Sequence, residues 1–555
     1  MKAVKRGLVF SSAVSMMLTL VLAGCTTESK DAGSTKNTNN QETKADTAKV
    51  AGKDGPLEPF AKPITISVMR EDNPSIWFPQ GESIKDNILT KFYEEKLNIK
   101  WDVKWLVERG RSAERLDLAI ASNDIPDMFE ANAAQVYKLM KAGQIQPLGE
   151  VYKKYATDSV KESFGFDNGL FFKPVTFDKE VYGLPITQDY AGGIQLIWIR
   201  QDWLDKLNLK APKTIEELRT VAKAFIDNKM GGPNTIGIGL QNDLGLVLDA
   251  FAHAYGVYPD TWLPNKNGEL VYGDTLPEMK NVLQTMQNFY KEKLFDPEFA
   301  VKNGDKVTED IAAGRIGIIF YPFWGSLGPP MKNKLNQPEA EWFAYPIMVN
   351  PEGKYKIKNK SSTSKWLVVK KGFQYPEAAV KQYNLWYELW QGQHSAFYHG
   401  NNQQAYNKAQ EDFKLYPPFW FDPPMKNQIL DENLREVIAS GDTSKLKSEE
   451  AKKKYPLIMD PKSIYGWTEK MVVTQSYKII QEQLQNNLVY SAFQGPTTPV
   501  IAAKKPLADK ARMEGLIKFI MGESLDNFDA FVDKWNKSGG KDLSDEVNAW
   551  YKTNK

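Results

Sequence analysis

The sequence predicts an α/β fold in which at least two lobes each contain a mainly parallel sheet flanked by helices. From about residue 64 onward, short apolar strands alternate with amphipathic helices, which is the pattern of βαβ units. The chain of 555 residues is too long for a single hydrophobic core, since domains usually contain ~50–250 residues. Its 42% hydrophobic and 25% charged residues are typical of a globular body.

Residues 1–24 are predicted to be a signal peptide. Lys2, Lys5 and Arg6 precede a charge-free apolar run that ends at Leu22, and small residues stand before Cys25. The sequence Leu22-Ala-Gly-Cys25 resembles the lipobox of bacterial lipoproteins. That resemblance implies cleavage before Cys25 and diacylglycerol on its thiol. The alternative is an ordinary signal peptide with an accidental cysteine, but Cys25 is the single cysteine of the chain, which favours the lipobox.

Residues 25–62 are predicted to be the lipid anchor and a flexible linker, because small and polar residues dominate and little can be buried. The formal net charge is +2, and it becomes −1 without the three positive charges of the signal region. This balance provides no basic field for nucleic acid, so no nucleic-acid partner is expected. The body has no cysteine for disulfides, zinc–thiolate sites or nucleophilic catalysis, and no second apolar run of membrane-spanning length follows.

The elements alternate along the body. Strands are predicted at 64–69, 99–105, 194–199, 236–240, 316–320 and 365–369, and residues 124–129 are predicted to be a turn that leads into a further strand. Helices are predicted at 83–97, 114–121, 135–142, 214–226, 246–254, 276–294, 308–313, 376–390 and 471–488. The helix that begins near Thr214 is the best defined of these, because Thr214 and Glu217 form a capping box and Pro212 stands just ahead.

We expect the body to consist of four stretches along the chain. We expect lobe 1 at 63–185 and lobe 2 at 186–364. Lobe 1 then continues at 365–460 with a helical insertion, and 461–555 forms a hinge return and the C-terminal helices.

Several short motifs occur in a fixed order along the whole body. They are 123–128 (NDIPDM), 198–207 (WIRQDWLDKL) with 212–214 (PKT), 312–317 (AAGRIG) before Trp324-Gly325, 495–499 (GPTTP), 528–535 (FDAFVDKW) and 546–551 (EVNAWY). Their order and spacing resemble the extracellular solute-binding proteins of bacterial carbohydrate ABC importers, family 1, and within them the lipoprotein branch often named LipO.

The resemblance implies a two-lobed periplasmic-binding-protein fold of type 2 that closes around its ligand by hinge bending. It implies a carbohydrate ligand, a separately encoded ABC permease and ATPase as partners, and no enzymatic activity. We expect a monomer held by its lipid alone on the extracellular face of a cell membrane, as in Gram-positive bacteria.

A sugar site needs flat apolar faces for the C–H side of the ring and planar polar groups for the hydroxyls. In open α/β sheets the ligand crevice lies at the carboxyl ends of strands. Ligand contact is predicted for Asn73 and Trp77 after the first strand, for Trp324, for Tyr465 and Trp467 in a loop, and for Asp127, Asp189, Tyr190 and Trp420. The alternatives are core or lobe packing for the tryptophans and helix capping or surface turns for the aspartates.

Arg200 follows a buried strand and could clamp the carboxylate of a uronate. A structural salt bridge with Asp202 or Asp205 is the favoured interpretation. Several relatives carry a calcium loop after the helix that begins near Thr214. Here residues 227–235 lack the alternating oxygen ligands that calcium needs and contain Lys229, so no calcium and no other cofactor is predicted.

An enzyme is the first alternative to a binding protein. The three histidines, His253, His394 and His399, form no metal-ligand pair, and no serine elbow, phosphate loop or dinucleotide fingerprint occurs. Paired carboxylates for glycoside hydrolysis stay open, because their separation is a property of the folded chain. A membrane-anchored glycan-degrading enzyme and a ligand-presenting sensor subunit are therefore the alternatives to a transport protein.

Overall fold

Two β-sheets covered by helices organise the part of the chain that the computed structural model describes. The described residues are 54–72, 76, 78–108, 110–350, 352–359, 363–407, 417–484 and 487–554. The predicted signal peptide, Cys25, most of the linker, Asn73 and Trp77 lie outside them.

The strands are β1 (Ile64–Asp72), β2 (Ile99–Glu108), β3 (Met128–Ala131), β4 (Thr176–Phe177), β5 (Glu180–Val181), β6 (Leu184–Thr187), β7 (Gln195–Arg200), β8 (Ile236–Ile238), β9 (Trp262–Pro264), β10 (Leu270–Tyr272), β11 (Ile316–Pro322), β12 (Trp342–Tyr345), β13 (Ile357–Lys358), β14 (Thr363–Val369) and β15 (Leu488–Val489).

The helices are α1 (Ile88–Leu97), α2 (Ser112–Ser122), α3 (Ala133–Lys141), α4 (Gly149–Tyr155), α5 (Asp158–Gly165), α6 (Gln201–Lys206), α7 (Ile215–Asp227), α8 (Gly245–His253), α9 (Met279–Lys291), α10 (Gly304–Ala312), α11 (Pro329–Asn336), α12 (Ala378–Trp390), α13 (Ser395–Asn407), α14 (Lys426–Ser440), α15 (Glu449–Met459), α16 (Ile464–Met471), α17 (Tyr477–Ile479), α18 (Pro499–Ile520), α19 (Phe528–Trp535) and α20 (Lys541–Asn554). Within the described part of the chain, none of them is long and apolar enough to cross a membrane.

The strand order is β2-β1-β3-β14-β6 in the first sheet and β12-β7-β11-β8 in the second. In the first sheet β14 pairs antiparallel with β3 and β6, whereas β1 pairs parallel with β2 and β3. In the second sheet β7 pairs antiparallel with β11 and β12, and β8 is parallel to β11. The predicted α/β class is confirmed, and one strand in each sheet runs against the others.

The reversed strands are the ones that carry the chain from one sheet into the other. β7 enters the second sheet directly after β6, and β14 enters the first sheet directly after β13. A strand that enters at the edge where its neighbours end has to run opposite to them. The sheets are therefore mixed at these two strands, although the remaining strands of each sheet share one direction.

Each sheet has its own core. In the first lobe, the first sheet with its helices, residues such as Ile66 and Val68 face one core, and Phe129 and Trp366 face another. The second lobe packs Trp198, Trp342 and Phe251 around the second sheet. Tyr477 and Phe519 also pack in the core of the second lobe, so the chain returns to that lobe after α15.

The capping box predicted at Thr214 opens α7. The Thr214 hydroxyl accepts the backbone N–H of Glu217, and the Glu217 carboxylate accepts that of Thr214, both at 3.2 Å. The loop predicted around Tyr465 and Trp467 is wrong, because both residues lie in α16. The Ser463 hydroxyl caps that helix by accepting the N–H of Gly466 at 2.9 Å.

Arg200 is a structural residue of the second lobe, as the favoured interpretation of the sequence held. Its guanidinium is buried and donates two hydrogen bonds to Asp202, at 2.8 and 2.6 Å. It also lies 4.6 Å from the ring centre of Trp203. The alternative role as a clamp for a ligand carboxylate is wrong, because the guanidinium is paired and lies at the end of β7 remote from the first sheet.

Replacing Arg200 with Met should destabilise the protein by about 3–5 kcal/mol, because Asp202 would lose a buried, two-pronged ion-pair partner. Urea unfolding followed by circular dichroism measures this change. Arg219→Met is the matched control, since Arg219 also forms a two-pronged pair, with Glu292, but in an exposed position. Salt bridges at the surface contribute little. Equal midpoints for the two variants would contradict the structural role of Arg200.

Candidate functional site

Because open α/β sheets bind ligands at the ends of their strands, the candidate site is the crevice between the strand ends of the two sheets. In the first sheet, the parallel strands β1, β2 and β3 end at Asp72, Glu108 and Ala131 on one edge. Thr363 at the start of β14 is opposite Thr187 at the end of β6, on that same edge. The chain crosses to the second sheet from this edge, which therefore faces the second lobe.

The second sheet contributes the edge at which β11 and β12 end. Gln195, the first residue of β7, is opposite Pro322, the last residue of β11. Tyr345, the last residue of β12, is opposite Ile197. Away from the chain crossings, α18 of the second lobe packs beside α3 of the first. The crevice thus runs between two sets of strand ends, which is where open α/β sheets bind ligands.

Trp324 presents an aromatic ring at this edge. It follows β11 in a short 3₁₀ segment, and its side chain is 38% exposed. The Tyr321 ring stands edge-on to it, with the ring centres 5.0 Å apart and the planes at 83°. An exposed indole face supported by a second aromatic ring provides the flat apolar surface that a sugar ring requires.

The backbone on both sides of Trp324 is held by contacts with buried side chains. The buried indole of Trp198 donates to the carbonyl of Pro322 at 3.1 Å. Gly325 lies on the Trp198 ring, so that a β-carbon at Gly325 would approach the indole nitrogen to 2.5 Å. The Ser476 hydroxyl donates to the carbonyl of Phe323 at 2.6 Å. The exposed ring is therefore held by buried contacts on both sides and needs little ordering when a ligand binds.

The first sheet offers a polar wall. Glu130 on β3 pairs with Lys365 on β14 at 3.1 Å, and the carboxylate raises the pKa of Lys365. Burial lowers the pKa of Arg70 on β1 to about 10, although the charge of Glu130 opposes that shift. Glu71 accepts a hydrogen bond from Ser112 at the start of α2. Charged groups of both signs thus follow the strands toward the crevice, within reach of ligand hydroxyls.

Three passages of the chain connect the lobes beside the crevice, and they are hydrogen-bonded to one another. The first passage follows Thr187, whose hydroxyl donates to the carbonyl of Asp422 on the third passage at 2.8 Å. The N–H of Tyr190 donates to the carbonyl of Pro424 at 3.0 Å. Asn359 on the second passage donates its side-chain N–H to the carbonyl of Tyr190 at 3.1 Å. We call this set of crossing segments the hinge.

Asp189 and Tyr190 were predicted as ligand contacts, and the structure places both in the hinge. The Asp189 carboxylate accepts the N–H groups of Ala191 and Asn427, at 2.9 and 3.2 Å. Burial raises the pKa of Asp189 to about 7 and that of Tyr190 to about 12. Both side chains are at least nine-tenths buried, so their contacts are with the hinge segments.

Of the other predicted contacts, Asp127 lies apart from Trp324. The Asp127 carboxylate accepts the N–H and hydroxyl of Ser67, at 2.9 and 2.6 Å, and it braces β1 against the start of β3 at the opposite edge of the sheet. Trp420 packs against a core of the first lobe.

Tyr465 and Trp467 lie in α16, which packs against the segment that carries Trp324. The Ser326 hydroxyl donates to the Thr468 carbonyl at 2.9 Å. Trp467 donates its indole N–H to Glu341 at 3.1 Å.

Two residues missed by the sequence reasoning stand where the hinge meets the crevice. Gln195 and Asn359 are more than nine-tenths buried, and the side-chain oxygen of each accepts no hydrogen bond from any described residue. Buried polar atoms normally have a partner, so an unpaired acceptor at a ligand crevice is notable. Gln195 could have been found from the sequence, because it is a polar residue at the start of a wholly buried strand.

The titratable groups around the crevice do not form a metal centre. Within residues that the structure describes, no group of three or more His, Asp or Glu side chains is placed to hold a metal ion. His253 accepts the N–H of Lys358 at 3.3 Å, and burial lowers its pKa well below the ordinary value. At the end of α7, Asp227 pairs with Lys223 of the same helix at 3.1 Å. His253 is thus neutral and acts as a structural acceptor.

Comparison with known proteins places the chain among binding proteins. A family model described as bacterial extracellular solute-binding protein matches residues 77–387, more than half of the chain. The polygalacturonan/rhamnogalacturonan-binding protein YtcQ of Bacillus subtilis is 27% identical over 281 residues, 49% of this chain and 52% of YtcQ. The match therefore spans about half the length of YtcQ.

Longer matches cover nearly the whole chain. Lipoprotein LipO of Bacillus subtilis is 21% identical over 497 residues, 86% of this chain and 90% of LipO. An HMO-binding, ABC-transporter-associated solute-binding protein from Bifidobacterium longum infantis has the same fold, with a TM-score of 0.62 at 17% identity, over 88% of this chain and 99% of that one. On the family match and the two-lobed fold together, the chain belongs to the bacterial extracellular solute-binding proteins.

Proposed function

We propose that this protein captures an oligosaccharide in the crevice and delivers it to an ABC importer, without a chemical step. The observation that carries the proposal is Trp324, an exposed indole held on a buried framework where the strand ends of the two lobes meet. Such a surface stacks on the apolar face of a pyranose. The polar wall with Glu130 and Lys365 then supplies acceptors and donors for the hydroxyls.

The relatives support a carbohydrate ligand and a transporter partner. YtcQ is a polygalacturonan/rhamnogalacturonan-binding protein, and the Bifidobacterium protein is associated with an ABC transporter. A polysaccharide fragment is therefore the ligand class that we propose here, with the ABC permease and ATPase as separate chains. The protein acts as a monomer in this proposal, because one chain contains both walls of the crevice.

Two carboxylates of the first sheet near the crevice, Glu71 and Glu130, are engaged by donors, which favours binding over hydrolysis at these two positions. Glu71 accepts the Ser112 hydroxyl, and Glu130 is paired with Lys365. A glycosidase needs one carboxyl group that is protonated and free to donate to the leaving oxygen. These two groups are engaged by donors instead, which suits a site that recognises hydroxyls and releases the ligand unchanged.

We further propose a lipid on Cys25 as the attachment to the extracellular face of the cell membrane. LipO, matched over 86% of this chain, is named a lipoprotein. The linker that we expect at 25–62 then holds the body near the permease. We assign 63–185 and 365–460 to the first lobe, and 186–364 to the second. Residues 461–555 form the hinge return and the C-terminal helices.

Trp324→Ala should weaken binding of the recognised oligosaccharide by about 2 kcal/mol, roughly thirtyfold in Kd, because a central indole face is lost. Isothermal titration calorimetry with oligogalacturonides, rhamnogalacturonan fragments, kestose and xylo-oligosaccharides measures this change. Tyr375→Ala is the matched control, since Tyr375 is also 38% exposed and edge-on to a second ring, that of Phe60, but follows β14 at the opposite edge of the first sheet. Affinity that survives Trp324→Ala would remove Trp324 from the site, and the absence of heat with every sugar would refute a carbohydrate ligand.

Cys25→Ala should move the protein from the membrane fraction to the medium, since the lipid is the proposed attachment. Metabolic labelling with an alkyne fatty acid, followed by fractionation, provides the readout. The natural chain should carry the label and the variant should not. A variant that stays with the membrane, or a natural chain without label, would contradict the lipid anchor.

A further inference from the structure

The Asp189 carboxylate connects three separate segments of the hinge region. It accepts the N–H of Ala191 on the first passage at 2.9 Å and the N–H of Asn427, at the start of α14 on the third, at 3.2 Å. The hydroxyl of Tyr477 in α17 reaches its two oxygens at 3.2 and 3.4 Å. Since Tyr477 packs in the core of the second lobe, one carboxylate fastens the third passage to that lobe.

Titratable groups of the third passage, α14 and α17 lie around this carboxylate. Lys426 at the start of α14 favours its charge, whereas Asp422 on the third passage opposes it. Asp431 in α14 also interacts with it, and the phenols of Tyr190 and Tyr477 lie against it. Lys426 is itself paired with Asp422 at 3.2 Å.

Burial is the main reason why Asp189 holds a proton more tightly than an ordinary aspartate. It raises the pKa to about 7, although the N–H groups of Ala191 and Asn427 pull in the other direction. The charged and neutral forms are therefore both populated near neutral pH.

We propose that Asp189 is the positioning residue of the hinge: in its charged form it holds the start of α14 against the second lobe, and its protonation loosens that contact and changes the mean separation of the lobes. A carboxylate offers acceptors to all three donors. A protonated carboxyl group has fewer acceptor sites, and its own O–H is a further donor facing the N–H and O–H donors around it. The 3.2 Å bond to Asn427 is the weaker of the two backbone contacts, so it is the one expected to break.

The inference goes beyond the proposed function, since it concerns how the lobes are held and requires no ligand. Sugar binding can therefore fail while the hinge behaves as described, and the reverse also holds. If the hinge responds to protons, the affinity for any ligand that bridges the lobes varies with pH, because closure contributes to binding.

Double electron–electron resonance between spin labels on the two lobes tests this proposal. Lys91→Cys in α1 and Lys223→Cys in α7 provide exposed attachment sites, in the full chain with Cys25→Ser and without ligand. The distance distribution should change between pH 5.5 and 8.5 with a midpoint at about 7. In Asp189→Asn one distribution should persist at every pH. A change that survives in Asp189→Asn, or none in the parent chain, would overturn the proposal.

Three further variants separate the hinge from other titrating groups. Asp167→Asn is the matched control, because burial raises the pKa of Asp167 to about 6, while its carboxylate interacts with backbone N–H groups of its own turn, those of Gly169, Leu170 and Phe171. It should leave the pH response intact. Asp431→Asn should keep a pH response, since Asp189 is still present, but with a shifted midpoint, because the interaction of Asp431 with Asp189 is lost. Loss of the response in either variant would assign it to another carboxyl group.

Tyr477→Phe provides an independent readout that does not depend on the folding of Asp189→Asn. It removes a hydrogen bond to the charged form, so the midpoint should rise by about half a unit to one unit. An unchanged midpoint in a folded Tyr477→Phe variant would show that Asp189 does not set the response.

Discussion

The reversal of one strand in each sheet is the constraint on which the rest of the structure depends. β7 and β14 enter their sheets from the side of the other lobe, so their neighbours all end at that side. The loops that follow these neighbours are thereby collected along one crevice. Trp324 after β11 and the charged ends of β1 and β3 face this space because of strand direction, before any side-chain contact is considered.

Packing contacts within each lobe and hydrogen bonds in the hinge have different roles. Within a lobe, the supports of Trp324 are a buried indole and a glycine pressed against it, and neither can move without opening a core. Among the chain passages of the hinge, the contacts are hydrogen bonds such as those of Thr187 and Asn359. Each is worth only ~0.5–1.5 kcal/mol net, so the hinge can exchange partners while the sheets stay intact.

Local sequence signals predicted much of the fold. The capping box at Thr214, the buried strand that ends at Arg200 and the α/β order were all readable, because each depends on residues close together in the chain. Trp467 was misplaced in a loop, since α16 packs closely on α15, where the Leu457 carbonyl leaves no room for a β-carbon at Gly466. Asp127 and Gln195 show the same limit, because the edge that each strand end faces is decided by pairing with distant strands.

The central claim is that a sugar is held between the strand ends of the two lobes. A crystal structure of the protein with the tightest-binding oligosaccharide of the calorimetric panel tests it most directly. The account predicts a sugar ring stacked on Trp324, with hydroxyls bonded to side chains of the first sheet. A ligand bound elsewhere, with the Trp324 ring free of contact, would contradict the account.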